Sequence, residues 1–251
     1  VTNRMSNPYR ERNREKVEDQ FSNFQLNFDR KFGKHAVVAV AGFEASQRKR
    51  PKMWIHSTPV SNAMDLIRLK EIQEFNDDGN RTEARMGYLG RINYSYADKY
   101  LVELIARWDG SWKFRPDNRW GFFPSASLGW RVSEENFWKE SKIGEIVTNL
   151  KLRGSYGEVG DDAVSDYSAF DYLPGYNYNS GGAVIDGNWV VGTSTRGLPN
   201  QTLSWMTAKI LDIGVDLGFL NNRLNIQFDY FRRVRDGIPE PRYDVLIPNE
   251  A

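Results

Sequence analysis

Residues 86–109 read Met86-Gly87-Tyr88-Leu89-Gly90-Arg91-Ile92-Asn93-Tyr94-Ser95-Tyr96-Ala97-Asp98-Lys99-Tyr100-Leu101-Val102-Glu103-Leu104-Ile105-Ala106-Arg107-Trp108-Asp109, and the alternation in this stretch decides the fold. One parity carries Met86, Tyr88, Gly90, Ile92, Tyr94 and Tyr96, then Tyr100, Val102, Leu104, Ala106 and Trp108, with no charge among them. The other carries Arg91, Asn93, Ser95, Glu103, Arg107 and Asp109. Successive side chains of a strand point to opposite faces, so the stretch is predicted to form two β-strands turning around Asp98, with one uncharged and one charged face.

Working outward, the same division continues. Trp120, Phe122, Pro124, Ala126, Leu128, Trp130 and Val132 share the uncharged parity of one strand, and Leu150, Leu152, Gly154 and Tyr156 that of the next. Arg119, Arg131, Lys151 and Arg153 stand opposite them. About eight strands are predicted in all: Glu18–Phe32, His35–Gln47, Met86–Tyr96, Tyr100–Asp109, Arg119–Val132, Asn149–Gly157, Trp205–Phe219 and Arg223–Arg235. Several are longer than the roughly five or six residues of an average strand and match the roughly 9–11 of a membrane-crossing one.

Exclusion of charge from one face is what a bilayer enforces, because Arg or Lys on a lipid-facing strand costs about 2–4 kcal/mol at the midplane. A soluble sandwich also alternates. The placement of aromatic and small residues separates the two. Trp120 and Phe122 begin a strand that Trp130 ends, a separation on the order of 25 Å along the membrane normal for a tilted strand. Gly90, Ala106, Ala126 and Gly154 sit mid-strand, where a packed core would prefer bulk and lipid tolerates small residues. Leu220-Asn221-Asn222-Arg223 reads as a hairpin with a two-residue tip that pairs Phe219 with Leu224. The hairpin turning near Gly33 is ambiguous, because Ala36–Ala41 is apolar on both parities. Short turns near Gly33, Asp98 and Asn221 fall at one end, together with a Ser133–Thr148 link holding a brief helix capped by Ser133. Long loops, at about 48–85, 110–118, 158–204 and 236–251, fall at the other end, the outside of an outer-membrane barrel.

Composition agrees. The 251 residues carry 34 Lys+Arg against 33 Asp+Glu, a net charge of +1, which argues against a nucleic-acid partner. No apolar run approaches the ~20 residues a membrane helix needs, and aromatic residues make up 14% of the chain. The absence of Cys removes thiol catalysis, disulfides and Cys-bound metal. The chain opens on Val1-Thr2-Asn3-Arg4 rather than a secretory leader, so a processed or truncated product is expected.

No catalytic, cofactor or metal site is expected. His35 and His56 fit no metal or triad spacing, and Glu134-Glu135 suit a helix N-terminus better than acid–base work. Asp77-Asp78-Gly79-Asn80 imitates a calcium loop but leaves Arg85 where the bidentate Glu belongs. Gly154, Gly157 and Gly160 end a strand instead of opening a helix, so they are no nucleotide fingerprint. The candidate substrate contacts are aromatic and basic residues of two long loops: Trp112, Phe114 and Arg115 in one, Tyr167, Tyr172, Tyr176, Tyr178 and Trp189 in the other. Aromatic platforms among polar neighbours suit a sugar or a peptide; packing among themselves or against a partner is the competing role.

Four stretches resemble the SusC/RagA family of TonB-linked outer-membrane proteins. They are Tyr88–Tyr96 running through Asp98-Lys99-Tyr100-Leu101 to Arg107-Trp108-Asp109-Gly110-Ser111; Asn118–Ser125 with Leu128–Glu135; Leu150–Gly157; and Leu198-Pro199-Asn200 with Leu203-Ser204-Trp205, Ile213–Asp216, Asn221–Leu224 and Asp229-Tyr230. The resemblance covers about Arg85–Gly237. It implies an all-β, antiparallel transmembrane barrel of about 22 strands closed around an N-terminal plug, of which this chain supplies about eight consecutive strands. An open sheet edge cannot persist in hydrocarbon, so the chain is expected to be part of a longer protein. The resemblance further implies an outer-membrane location, a SusD-like surface lipoprotein and TonB as partners, the latter through a plug region outside this chain, and import of a large nutrient without bond cleavage. Two other functions stay open: a SusC-like barrel acting as a docking body in a larger outer-membrane complex, and a soluble β-sandwich that binds carbohydrate.

Overall fold

The structure is a computed structural model that describes residues 10–57, 72–163, 170–196 and 199–239. Eleven strands account for most of it: β1 Arg10–Glu15, β2 Glu18–Phe32, β3 His35–Ser57, β4 Ile72–Tyr96, β5 Tyr100–Ser111, β6 Trp120–Arg131, β7 Val147–Asp161, β8 Tyr176–Ile185, β9 Asn188–Thr195, β10 Met206–Phe219 and β11 Leu224–Asp236. Two short helices, α1 Asn136–Lys139 and α2 Lys142–Ile146, interrupt them. Among the described residues no helix is long and apolar enough to cross a membrane. The chain forms two units, residues Val1–Ser22 with Ala45–Arg85, and Asn23–Glu44 with Met86–Ala251.

In the larger unit, consecutive strands pair antiparallel from β2 to β7, then β7 with β10 and β10 with β11. The registers place the predicted uncharged residues opposite one another. Leu104 faces Ala126, Trp108 faces Phe122 and Tyr100 faces Trp130; Leu128 faces Gly154 and Trp130 faces Leu152. Beyond them Leu152 faces Val215 and Tyr156 faces Leu211, and Val215 in turn faces Phe228. Directly opposed residues share a face of the sheet, so one surface runs from β4 to β11, uncharged between its aromatic rows through β7 and carrying Glu158, Lys209 and Arg232 toward the long-loop end of β7, β10 and β11.

No second layer covers that surface among the described residues. Leu104, Leu128 and Leu152 are 50%, 64% and 39% exposed. A sandwich would bury all three between sheets, so the soluble-sandwich reading fails and the single-layer wall stands. The sheet is also open: β2 and β11, its outermost strands in this unit, are exposed along nearly their whole length.

Aromatic rows mark both limits of the apolar band. At the short-turn end Tyr96, Tyr100 and Trp130 stack with ring centroids 6.3 and 6.5 Å apart, and His35 lies 4.9 Å from Tyr96 with its Nδ1 2.8 Å from the Tyr94 hydroxyl. At the long-loop end Tyr88, Trp108 and Trp120 cluster, Trp108 and Trp120 at 4.8 Å. The ambiguous first hairpin resolves. His35 and Phe43 meet Tyr96 and Tyr88 at 4.9 and 5.3 Å, whereas Glu44 accepts from Arg107 at 3.3 Å, so the odd residues of β3 share the uncharged face and the even ones the charged face.

Differences from the sequence reading have local causes. Beyond the eight expected strands the structure adds β1, β8 and β9. β3 continues to Ser57 and β4 starts at Ile72, inside the segment read as a long loop. There Arg48-Lys49-Arg50 charges both parities, so a rule built on an uncharged face loses the strand, while pairing of Lys52–Ser57 with β1 satisfies its backbone. Within that unit Arg48 forks onto Asp19 at 2.6 and 2.9 Å. The β10–β11 tip does pair Phe219 with Leu224. Its positive-φ residues are three, Leu220, Asn221 and Asn222, not the expected Asn pair. Tyr167 and Leu198 lie outside the described residues, as do the side chains of His56 and Asp77–Asn80.

Candidate functional site

The charged face of the sheet is organised by two arginines that each reach across a neighbouring strand. Arg107 on β5 forks onto Asp109 at 2.9 and 3.0 Å and extends to Glu44 on β3 at 3.3 Å. Gly87 on β4 lies beneath this bridge, and a Cβ added there would come 2.1 Å from Asp109 Oδ1. Arg153 on β7 repeats the arrangement. It contacts Asp216 at 3.1 Å and Asp212 at 3.7 Å on β10, and Asp229 on β11 at 2.6 Å. Gly214, paired with both Arg153 and Asp229, leaves the opening, and a Cβ there would sit 2.4 Å from Asp229 Oδ1 and 2.7 Å from Arg153 Cζ. At both positions an added Cβ would meet the ends of the bridging side chains, so a larger residue would have to shift the bridge. Between these groups Arg91 pairs with Glu103, which also accepts from Ser127 Oγ at 3.3 Å. The result is a polar wall with fixed charges, as a water-facing lumen requires.

At the long-loop end the candidate contacts divide. Phe114 is fully buried and packs on Leu203, Trp205 and Met206, with its ring 5.5 Å from Trp205. Trp205 meets Phe123 edge-on at 5.3 Å and donates its Nε1–H to the Arg119 carbonyl at 2.9 Å. Phe123 lies where Cβ atoms on Gly121 and Gly160 would stand. Trp112 is buried too, its ring edge-on to Phe170 at 5.6 Å. Phe114 therefore holds the 110–118 loop against the 203–206 segment, Trp112 packs on Phe170, and neither offers a ligand much surface. Asn118 Nδ2 to the Gln201 carbonyl and Ser204 Oγ to the Asn118 carbonyl, both 3.2 Å, tie the same two segments. Below them, buried Ser111 donates to Asp162 at 2.7 Å and Lys113 Nζ to the Asp162 carbonyl at 2.8 Å. Arg115 is half-exposed and paired with Asp117 at 3.0 Å.

Tyr176, Tyr178 and Trp189 belong instead to the β8–β9 hairpin, a two-stranded sheet of its own. The register opposes Tyr176 to Thr195, Tyr178 to Thr193 and Val184 to Trp189, which puts the three aromatics on one face. The Trp189 ring lies over Gly182, where a Cβ would come within 2.5 Å. All three are open, Tyr178 at 82%. The base of the hairpin is held by Arg196, whose Nη2 donates to Asp171 at 2.8 Å and whose backbone N–H donates to the Gly175 carbonyl at 2.9 Å. Tyr172 stands beside it, 6.1 Å from Phe170. The sequence reading missed Leu203, Trp205 and Arg196 in these roles. It also missed the hairpin itself, although Asp186-Gly187, both at positive φ, is a strong two-residue hairpin signal.

The family described as TonB dependent receptor-like, beta-barrel matches residues 2–249. The chain belongs to that family. TonB-dependent receptor SusC of Bacteroides thetaiotaomicron is 40% identical over 153 residues, covering 60% of this chain and 15% of that protein. TonB-dependent receptor P39 of Formosa agariphila is 32% identical over 253 residues, covering 95% of this chain and 22% of that protein. The chain thus spans less than a quarter of the length of these relatives. A solved structure of the RagAB peptide transporter superposes with a TM-score of 0.67 at 22% identity over 90% of this chain and 24% of that one, a likeness of fold. The resemblance to SusC/RagA proteins and the partial, unclosed barrel are thereby shown. Membership in a receptor family also agrees with the expectation of a non-enzymatic protein.

Proposed function

We propose that this chain is a wall segment of an outer-membrane, TonB-dependent importer that admits a large nutrient, an oligosaccharide or a peptide, together with a SusD-like surface lipoprotein. The observation that carries the reading is the single-layer sheet of a TonB-dependent receptor barrel, bare and uncharged on one face and fixed in ion pairs on the other. In that setting hydrocarbon solvates the Leu128 face, the Arg153 face lines the lumen, and the long loops stand outside the cell. TonB would act through a plug region beyond this chain, and assembly into a larger outer-membrane complex fits the same reading. Substrate contact falls to the open aromatics Tyr176, Tyr178 and Trp189, with Tyr172 and Arg115 beside them. Trp112 and Phe114 support the loop that carries Arg115. The relatives named SusC and RagAB support a two-component arrangement.

The test uses the full-length protein in its own cells. Deleting the gene is expected to abolish growth on one class of oligosaccharide or peptide while growth on its monomers persists. Growth unchanged on every such polymer would leave the barrel a docking body and overturn import. With the nutrient class in hand, Tyr178→Ala and Trp189→Ala are each expected to weaken its binding about tenfold, an effect of about 1.4 kcal/mol. Unchanged binding in both would remove the hairpin from the site.

A further inference from the structure

At the short-turn end the β6–β7 link stands apart from its neighbours. The β2–β3 turn is the pair Gly33-Lys34, and Ala97 and Asp98, both at positive φ, form the β4–β5 tip, whereas residues 132–146 form a folded segment. Its polar groups are well served. Ser141 accepts from the Gly144 N–H at 3.1 Å and donates to the Trp138 carbonyl at 2.7 Å, and Trp138 Nε1–H donates to the Val147 carbonyl at 3.0 Å. Its large apolar side chains are not. Phe137, Ile143 and Ile146 are each about 60% exposed, as is Leu220 of the adjoining tip, whose N–H donates to the Ile146 carbonyl at 3.3 Å.

Glu135 fixes the side of the wall on which this segment begins. Its carboxylate accepts from the Tyr100 hydroxyl at 2.7 Å and from Trp130 Nε1–H at 3.3 Å, two members of the aromatic row on the uncharged face. Glu134 turns the opposite way, to Arg131 at 3.3 Å and Lys139 at 2.7 Å. The segment thus starts at the aromatic row that bounds the uncharged face, with Lys99 Nζ also on Glu135 at 3.0 Å, and Phe137, Ile143 and Ile146 stand exposed beyond it. We propose that the β6–β7 link is an interfacial foot, which inserts Phe137, Ile143 and Ile146 into the lipid leaflet at the short-turn end of the barrel. The proposal rests on the reading of the uncharged face as lipid-facing. The foot works by apolar insertion and not by head-group charge: Glu140, Lys142 and Glu145 are exposed with mixed sign, and apolar groups at the head-group boundary are held by burial there. Such a foot fixes the depth and tilt of this part of the wall, as interfacial aromatics do elsewhere.

The test places a fluorescent label on Phe137→Cys and, separately, Ile143→Cys in the full-length protein reconstituted in phosphatidylcholine vesicles. Leu128→Cys serves as the lipid reference and Asn221→Cys as the water reference. Lipids brominated on their acyl chains are expected to quench both foot labels at least half as strongly as the Leu128 label, with iodide quenching well below that of the Asn221 label. Quenching by iodide as at Asn221, without quenching by brominated lipid, overturns the foot and leaves the barrel reading intact. Protection from both quenchers means a protein covers the segment and also overturns it. A Leu128 label that brominated lipid fails to quench sinks the lipid-facing reading itself, and the foot with it. Reading the two positions separately keeps the test decisive if a label disturbs one of them.

Discussion

Leu152 and Arg153 are neighbours in one strand and live in opposite solvents. Leu152 lines up with Trp130 and Val215 on a surface that no second layer covers among the described residues. Arg153 is enclosed by Asp212, Asp216 and Asp229 across an opening left by Gly214. In a water-soluble domain the apolar residue is inside and the arginine out; here the order is reversed. The difference teaches that what organises this sheet is the medium on each side and not a core of its own. On the apolar face any uncharged shape is accepted, Gly90 and Ala126 as readily as Leu128. On the polar face individual atoms must fit, so geometry is strict where charge is dense.

The largest effect expected from breaking this contrast is a charge on the wrong side. Leu128→Arg in the full-length protein should lower stability in lipid vesicles by about 2–4 kcal/mol, measured by reversible denaturant unfolding. Ser127→Arg, one residue away on the polar face and beside Glu103, should change it by roughly 0.5 kcal/mol or less, as a substitution at a solvated position does. Equal effects at the two positions would refute the two-solvent picture.

A finer test exchanges glycines between the faces. A Cβ at Gly214 would stand 2.4 Å from Asp229 Oδ1, while a Cβ at Gly90 meets nothing within 4 Å. Gly214→Ala must displace the Arg153–Asp229 pair and is expected to destabilise by about 1–3 kcal/mol, the usual range for overpacking. Gly90→Ala should be neutral or stabilise by up to about 1 kcal/mol through loss of unfolded-chain freedom. The same unfolding measurement separates them, and a Gly214→Ala protein as stable as Gly90→Ala would show that the arginine bridge has slack.

Much of this was legible in the sequence, because a bilayer imposes a rule with a period of two that single residues obey. The parity of Leu104, Leu128, Leu152 and Ile213 could be read without knowing any contact, and the registers place them on one face. What escaped depends on residues far apart in the chain. Phe114 reads as an open platform in its own loop because Leu203 and Trp205, which close over it, lie some ninety positions later. The β8–β9 hairpin was hidden because Asn179-Ser180-Gly181-Gly182 interrupts its alternation, and the register shifts there. Leu220 at positive φ could not be anticipated beside two asparagines that adopt that conformation more readily.

The smallest expected effect concerns the β6–β7 link, where a carboxylate joins the two faces at their common end. Hydrogen bonds from Tyr100, then Lys99, hold the Glu135 carboxyl below its ordinary value of 4.5, and the Lys139 hydrogen bond does the same for Glu134. A depressed folded-state pKa means the unfolded chain binds the proton more readily. The stabilisation is therefore complete above about pH 4.5 and is lost as the pH falls from there through the folded value. The uncharged face, where Leu104, Leu128 and Leu152 carry nothing to titrate, supplies no such step. Thermal unfolding of the full-length protein between pH 7 and pH 3 should show an acid loss that shrinks in Glu135→Gln, because the amide keeps an acceptor for Tyr100 and Trp130 but cannot be protonated in this range. If Glu135→Gln loses as much stability in acid as the unaltered protein, the carboxylate is not what ties the aromatic row to the link. The row must then be held by ring stacking alone.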